Sequence, residues 1–494
     1  MDISLYLKVF QQIVFSEAFF LVAFGVVLGV IFGAIPGLTA ALAVVILLPF
    51  TYGLDTMTGL AMLIAAYIGG ISGGLVSSIL IGMPGTPSSV TTVFDGFPMT
   101  KKGLGGKALG AGVMANVVGS LMGLLALVLF SPQLAKIALR FSSFEYTLLI
   151  LFAFLTVVGV SEGEIFKGIV MSILGLVLGT MGLDQVTGDI RATFGISFLR
   201  GGISSLPAML GLLVLAKVFE EIESDIHTPI VPKLVVRMRD IHPSLQEMKQ
   251  SSGNYLRSGI IGVFIGILPG IGGAVANFVA YDQAKKANKN PESFGHGNVQ
   301  GVIASETANN AVIGGALIPL LVFGIPGDAV TAMLLGGLQL KGVRPGPLIF
   351  QNQPELIVGI FISFFLAVIL MYVFMMWIGI WFFQKMLSIK KKYLLPLVLL
   401  MSVAGSYNIA FRVADIWIII IFGIIGYVLN KNEFPVIPLV ISLLLGPMFE
   451  TNLRTSMMFS AGKITPFFTR PMSLVIWLLI GVTLFFIVKK NRKI

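Results

Sequence analysis

The chain alternates long apolar runs with short polar punctuation. Residues 147–160, 356–383 and 472–488 carry no charge until Lys489. Further apolar runs lie near 108–130, 168–183, 202–217, 258–281, 393–407, 413–429 and 434–449. Hydrocarbon offers no partner to an exposed backbone N–H or C=O, so such runs cross a bilayer as helices. The pattern predicts an all-α polytopic membrane protein with about 10–14 membrane segments, at roughly 20 apolar residues per crossing. Many runs follow the first, which is therefore not read as a removable signal peptide.

Four Pro-Gly steps interrupt this pattern, and they form a repeat. Residues 33–43 read GAIPGLTAALA and residues 266–276 read GILPGIGGAVA. Residues 73–86 read GGLVSSILIGMPGT and residues 315–328 read GALIPLLVFGIPGD. Gly33, Pro36, Gly37, Ala41 and Ala43 match Gly266, Pro269, Gly270, Ala274 and Ala276. The two breaks come in the same order in each half, 48 positions apart in the first (Pro36 to Pro84) and 57 in the second (Pro269 to Pro326). The longer spacing coincides with the polar insert KKANKNPESFGHG.

Charge adds a direction. Only 11% of residues are charged, 56% are hydrophobic, and the net charge is +10, against about 25% charged residues in a soluble domain. Lys and Arg collect in cytoplasmic loops, which explains the basic balance without nucleic acid. The tail KKNRKI, Lys385 with Lys390 to Lys392, the polar segment 218–257 (Lys233, Arg237, Arg239, Lys249, Arg257) and Lys101, Lys102 and Lys107 are therefore placed inside. Arg191 and Arg200 then fall outside. The run 258–281 has basic residues on both flanks, with Lys285, Lys286 and Lys289 following, and its central Pro-Gly removes a helical hydrogen bond. It is expected to be a hairpin that enters and returns on one face. The expected organisation is a first transmembrane half (1–217), a cytoplasmic linker (218–257) and a second half (258–494). The halves form two inverted-topology repeats with broken or re-entrant helices.

Paired interrupted helices in inverted halves point to a secondary transporter's site. A broken helix frees N–H groups at one end and carbonyls at the other. The N–H end attracts a carboxylate. The expected substrate-binding positions are Pro36, Gly37, Thr39, Gly85, Thr86, Ser88, Ser89, Pro269, Gly270, Thr307, Asn309, Asn310 and Gly327. Hydroxyls and amides bind a carboxylate without burying another charge. The coupling-ion candidates are Glu306 and Asp328, since intramembrane acids are costly and so are functional suspects, together with Ser72 and Gly73. Carbonyls at the breaks are the candidate ligands for sodium, and the two acids are the candidate proton carriers. Sodium is the favoured expectation, because the breaks are repeated and the acids are not: Thr86 matches Asp328, and Ile64 matches Glu306. No other cofactor is expected. Asp95, in FDGFPM, is read equally well as a loop turn.

The segments GAIPGLTAALAVVILLPFTYGLD, GMPGTPSSVTTVFDGFPM, ASETANNAVIGGALIPLLVFGIPGD and GVRPGPLIF resemble the large membrane subunit of tripartite tricarboxylate transporters, the TctA type. The resemblance runs from Phe15 to the final span. It implies a multi-pass subunit of a prokaryotic inner membrane, importing citrate-like or other carboxylates on an ion gradient. It also implies a small four-span membrane subunit and a periplasmic solute-binding protein as partners. The family's motifs fall on Pro36, Gly37, Pro84, Gly85, Glu306, Thr307, Asn309, Asn310, Pro326 and Gly327; none of them names a substrate.

Other functions fit the residues less well. A stand-alone ion-coupled carboxylate carrier shares every feature except the partners. An anion channel does not need two halves. An intramembrane aspartyl protease would pair Asp282 with Asp328, but Pro326 interrupts the expected Gly-rich motif. The three histidines, His227, His242 and His296, lie in polar segments, and cysteine is absent. No GxxxxGK[ST] phosphate loop occurs. The chain is expected not to be an enzyme.

Overall fold

The computed structural model describes residues 3–160, 165–184, 186–223, 241–270, 272–379 and 412–491, with isolated positions between 382 and 407. The middle of the expected linker, with His227, Lys233, Arg237 and Arg239, lies outside the described residues. So do Lys385, Lys390 to Lys392, much of the run near 393–407 and the last three residues of the tail.

Apolar patterning becomes helix almost throughout. The first part contains α1 (Ile3–Val14), α2 (Glu17–Ala34), α3 (Ala40–Thr51), α4 (Thr56–Leu80), α5 (Val90–Lys101), α6 (Gly105–Ala138), α7 (Ser143–Val160), α8 (Ile165–Gly179), α9 (Ser205–Met209) and α10 (Ala216–Glu223). A two-residue ladder, Gly182–Leu183 with Ile190–Arg191, follows α8. The second part contains α11 (Leu245–Gln250), α12 (Ser252–Ile267), α13 (Gly272–Ala287), α14 (Val299–Phe323), α15 (Ala329–Leu340), α16 (Ile349–Asn352), α17 (Pro354–Val373), α18 (Val413–Lys431), α19 (Val436–Phe459), α20 (Pro466–Thr469) and α21 (Pro471–Asn491). Among the described residues, seven helices are long and apolar enough to cross a membrane. This is an all-α polytopic membrane protein.

The first Pro-Gly break turns the chain back on itself. α2 runs beside α4 in the same direction. A Cβ on Gly25 would fall 2.4 Å from the Met62 carbonyl oxygen, and one on Gly33 would fall 2.0 Å from that of Gly70. Such backbone contact is the usual use of small residues between membrane helices. Position 70 lies roughly 21 Å along α4, at 1.5 Å per residue. There Gly37 takes φ +88°, a conformation that glycine adopts without strain. Thr39 restarts the helix by accepting the Leu42 N–H on its Oγ1 at 3.2 Å. α3 then returns to the start of α4, where Lys341 Nζ donates to the carbonyls of Leu54 (2.5 Å) and Tyr52 (3.2 Å). The pair α2–α3 is a re-entrant hairpin.

The expected hairpin around 258–281 is its counterpart. α12 begins at Ser252, earlier than the hydropathy suggests, and α13 carries the chain back after Gly270 at φ +79°. The base of this hairpin lies at the opposite end of the molecule. α4 and α14 establish this, because they run antiparallel: Leu75 and Val302 both line Gly112, Ser72 meets Asn310, and Tyr67 meets Asp328. Successively earlier residues of α4 thus meet successively later ones on and beyond α14. Lys102 Nζ donates to the His296 carbonyl at 2.6 Å, which joins the end of α5 to the loop before α14. The hairpins therefore enter from opposite ends, as inverted repeats require. Arg191, expected opposite Lys102, pairs with Glu450, two residues beyond Met448, whose methyl group would lie 3.8 Å from a Cβ on Gly324.

The second break has the same construction in each repeat. After α4 and α14 the chain folds back along the helix it has just left. A Cβ on Gly85 would fall 2.1 Å from the Gly33 carbonyl oxygen and 3.0 Å from Gly74 Cα. One on Gly327 would fall 2.9 Å from the Gly266 carbonyl oxygen and 2.6 Å from Ala316 Cα. Gly33 and Gly74 occupy the positions of Gly266 and Ala316 in the repeat. Each long helix also packs against a helix of the other repeat: α6 lies along α14 and α17 along α4.

Because the chain lacks cysteine, single cysteines report this topology directly. With cysteine at Lys102 or Lys289, an impermeant maleimide should label from one face only. With cysteine at Tyr52 or Arg344 it should label only from the other. Labelling of Lys102 and Arg344 positions from the same face would contradict the inversion.

Candidate functional site

The breaks meet where α4 crosses α14, and a knot of polar side chains fixes the crossing. Ser72 Oγ donates to Asn310 Oδ1 (2.7 Å), Asn310 Nδ2 donates to Asn116 Oδ1 (2.6 Å), and Ser120 Oγ donates to Asn310 Oδ1 (3.3 Å). This ties α4, α6 and α14 together with the Asn310 carboxamide filled. Gly73 packs against the Val30 backbone of α2. Ser72, Gly73 and Asn310 therefore hold the frame on which the open groups are mounted.

Over the turn of α14 that precedes Asn310, the partners run out. Asn309 is 1% exposed, and neither atom of its carboxamide has a hydrogen-bond partner. Asn277 Oδ1, Thr91 Oγ1 and one oxygen of Glu306 are likewise buried and unpaired, as is Thr307 Oγ1 on another face of α14, where its backbone packs on Gly119 of α6. A buried polar group left unpaired costs about 1–3 kcal/mol, so such a concentration makes this the candidate ligand site. Asn309 faces the start of α13 and the short turn Pro87–Ser89. A Cβ on Gly273 would fall 2.8 Å from Asn309 Oδ1 and 3.0 Å from Ser88 Cβ. Asn277 Nδ2 donates to the Ser88 carbonyl. Thr86 Oγ1 lies 3.2 Å from Ser88 Oγ. The first N–H groups of α13, a 16-residue helix, have no intrahelical acceptor and carry partial positive charge. They and the Ser88 hydroxyl form a donor set for an anion, assembled from both repeats, with the Asn309 carboxamide beside it and its Oδ1 toward Gly273.

The remaining candidates take defined places. Ser89 Oγ donates to the Thr86 carbonyl (2.8 Å) and closes its own turn. Thr39 caps α3. Pro36, Gly37, Pro269 and Gly270 form the two hairpin tips, and the Gly270 N–H donates to the Gly327 carbonyl at 2.7 Å. Gly85 and Gly327 each meet the hairpin backbone of their own repeat, so a side chain there would collide with protein before it reached a ligand. Asp328 caps α15: its Oδ1 accepts the Thr331 N–H (2.7 Å) and hydroxyl (2.8 Å), and its other oxygen accepts the Tyr67 hydroxyl. Glu306 accepts the Thr92 hydroxyl on one oxygen only.

Tyr67, Thr92 and Asn277 are site residues that hydropathy does not disclose. The repeat does contain a signal for Tyr67, because it occupies the position of Asn309 when Pro84 is laid on Pro326. Asp95 is no loose turn. It is fully buried, accepts the N–H groups of Gly295, Gly297 and Asn298 at 2.7–3.0 Å and the Tyr281 hydroxyl at 2.8 Å, and so joins the two repeats at the Lys102 end. Asp282 is exposed and pairs with Lys286, away from Asp328, so the acid pair of a protease is not assembled. Among the described residues no group of three or more His, Cys, Asp or Glu side chains forms a metal site. At the Lys341 end, Asp184 is held well below the usual carboxylate range by the Val186 N–H and by Arg454. A cavity of about 500 Å³ opens elsewhere, beneath α11, lined by Lys107, Ile241, Glu247 and Gln300.

The profile of the Tripartite tricarboxylate transporter TctA family matches residues 19–441. An uncharacterized 52.8 kDa protein of Agrobacterium vitis, named for the TAR-I ttuC' 3' region, is 34% identical over 450 residues, 91% of this chain and 89% of that protein. A second protein of that organism, named for the TAR-II ttuC' 3' region, is 38% identical over 213 residues, 43% of this chain and 87% of that protein. No solved structure matches the chain.

The packing of the breaks sets a stability expectation. Gly85→Ala and Gly327→Ala should each destabilise the purified protein by about 1–3 kcal/mol, the usual cost of overpacking. Gly481→Ala, which has nothing within 4 Å, should be neutral. Thermal unfolding in detergent measures the difference; equal melting temperatures for all three would contradict the packing.

Proposed function

The chain belongs to the tripartite tricarboxylate transporter TctA family, and on that footing we propose that it is the membrane permease subunit that imports citrate-like or other carboxylates. The observation that carries this reading is the open donor set at Asn309, Ser88 and the start of α13, where broken helices of two inverted repeats converge. Secondary transporters place their substrate sites at such a repeat interface. No Lys, Arg or His side chain is among the groups described at this centre. A carboxylate would be held by helix-end dipoles and neutral donors, which release it more readily than a buried ion pair would.

Energy must come from a cation. A negative interior opposes each negative charge by about 2.3 kcal/mol per 100 mV, so a multiply charged substrate accumulates only with co-transported sodium ions or protons. The family's tripartite architecture supports a periplasmic binding protein and a small four-span subunit as partners, in the inner membrane of a prokaryote. The Lys102 end, with Lys285, Lys286 and Lys289, would face the cytoplasm. Hairpin α2–α3 would then open toward the periplasm and hairpin α12–α13 toward the cytoplasm, a pair of elements suited to alternating access.

Uptake into proteoliposomes, with the partner subunits supplied and a cation gradient imposed, tests the reading. Wild type should saturate with carboxylate concentration. Asn309→Ala should lower apparent affinity roughly ten- to a hundredfold, the equivalent of one hydrogen bond to a charged group. Flux that rises linearly without saturation would indicate a channel instead.

A further inference from the structure

We infer that Glu306 carries a proton taken up with the substrate, and that Asn309 transmits its protonation state to the carboxylate site. The inference rests on the carrier reading above and names the coupling ion and its residue.

Glu306 is 0% exposed and takes part in no ion pair among the described residues. One carboxyl oxygen accepts the Thr92 hydroxyl, and the other has no partner. Asn309 follows by three positions on α14, which places both side chains on one helix face. The other side of Asn309 borders Gly273 and Ser88. Asn309 thus stands between the unpaired acid and the anion-binding donors, with both of its own atoms free.

The chemistry of a carboxamide makes this a two-position switch. When Oε2 of Glu306 is protonated, its O–H donates to Asn309 Oδ1, and Nδ2 faces the pocket as a donor to the substrate carboxylate. When Glu306 is ionised, it draws Nδ2 toward itself, and Oδ1 faces the pocket and repels the carboxylate. The proton arrives from water at the face where substrate enters and leaves to water at the other; no other bond changes. By linkage, whatever protonation does for substrate affinity, substrate does equally for proton affinity.

The neighbouring titratable groups are otherwise engaged. On α5, Asp95 is filled by three backbone N–H groups and by Tyr281 of α13. On α4, Tyr67 donates to Asp328, whose other oxygen is held by Thr331. On α12, Tyr255 packs among Ala111, Ala115 and Ile303. The nearest charge at the start of α6 is Lys107, which pairs with Glu247. Glu306 is left as the open group.

The test is substrate affinity against pH, measured on the reconstituted complex. The probe is radiolabelled citrate, or whichever carboxylate wild type takes up best from a panel of mono-, di- and tricarboxylates. Wild-type affinity should fall about tenfold per pH unit above the point where Glu306 ionises, at constant sodium. Glu306→Gln, whose amide donates to Asn309 as the protonated acid does, should bind with pH-independent affinity. It should still exchange substrate across the membrane but lose accumulation driven by a pH gradient. Asp282→Asn, at an exposed ion pair, should retain the wild-type profile. If Glu306→Gln does not fold, Thr92→Val serves instead: removing a donor to the carboxylate should favour the protonated form and shift the fall in affinity to higher pH. A pH profile unchanged in Glu306→Gln or Thr92→Val, or affinity set by sodium and flat with pH, overturns the inference. Failure of wild type to take up any carboxylate under any gradient overturns the carrier reading instead.

Discussion

A helix that stops inside hydrocarbon must have its freed backbone groups covered by protein or water. That constraint shapes this molecule. Four helices stop at Pro-Gly steps, and the resulting ends cover one another. The tip of the first hairpin lies on the break after α4, Gly33 against Gly85, and the tip of the second lies on the break after α14, Gly270 donating to Gly327. Neither element can be buried alone. The small residues along α2, α4, α12 and α14 are there because backbone must meet backbone, and side chains would hold the ends apart.

Upon this symmetric frame the polar side chains are asymmetric. Tyr67 and Asn309 occupy the same place in the two repeats, as do Thr86 and Asp328. On one side of the crossing Tyr67 and Asp328 satisfy each other and finish the cap of α15. On the other, the Asn309 carboxamide is left unpaired beside Ser88 and the start of α13. In the first pair Tyr67 serves structure, while the Asn309 carboxamide is left without a partner. A site built this way can be exposed by moving either hairpin, while the lock of Ser72, Asn116 and Asn310 keeps the long helices in register.

Much of this was legible in the sequence. Hydropathy gave the helical class, the Pro-Gly repeats gave the breaks, and the basic flanks of 258–281 gave the hairpin, because charge cannot cross a bilayer cheaply. The matching hairpin at Pro36 was harder to see: its N-terminal flank MDISLYLK is electrically neutral, and α2 is by itself long enough to span. The site was legible in outline only. Asn309 and Ser88 stood out as polar residues near breaks, but Asn310, its neighbour, points into the structural knot, and spacing alone does not say which of two adjacent amides is already paired. Asp328 looked like a functional acid because the sequence does not reveal that Tyr67, far away in the chain, arrives to fill it. Likewise Gly85 and Gly327 were expected among the substrate-binding positions, and the backbone they approach is that of Gly33 and Gly266.

The central claim is that substrate sits where the two repeats meet. The most direct measurement is protection of single cysteines at Ser88 and Gly273 from a small methanethiosulfonate reagent. The account predicts that transported carboxylate slows modification at both positions, one on each repeat, and leaves a cysteine at Gly103, beside the cavity under α11, unaffected. Protection at Gly103 alone, or at none of the three, would contradict it.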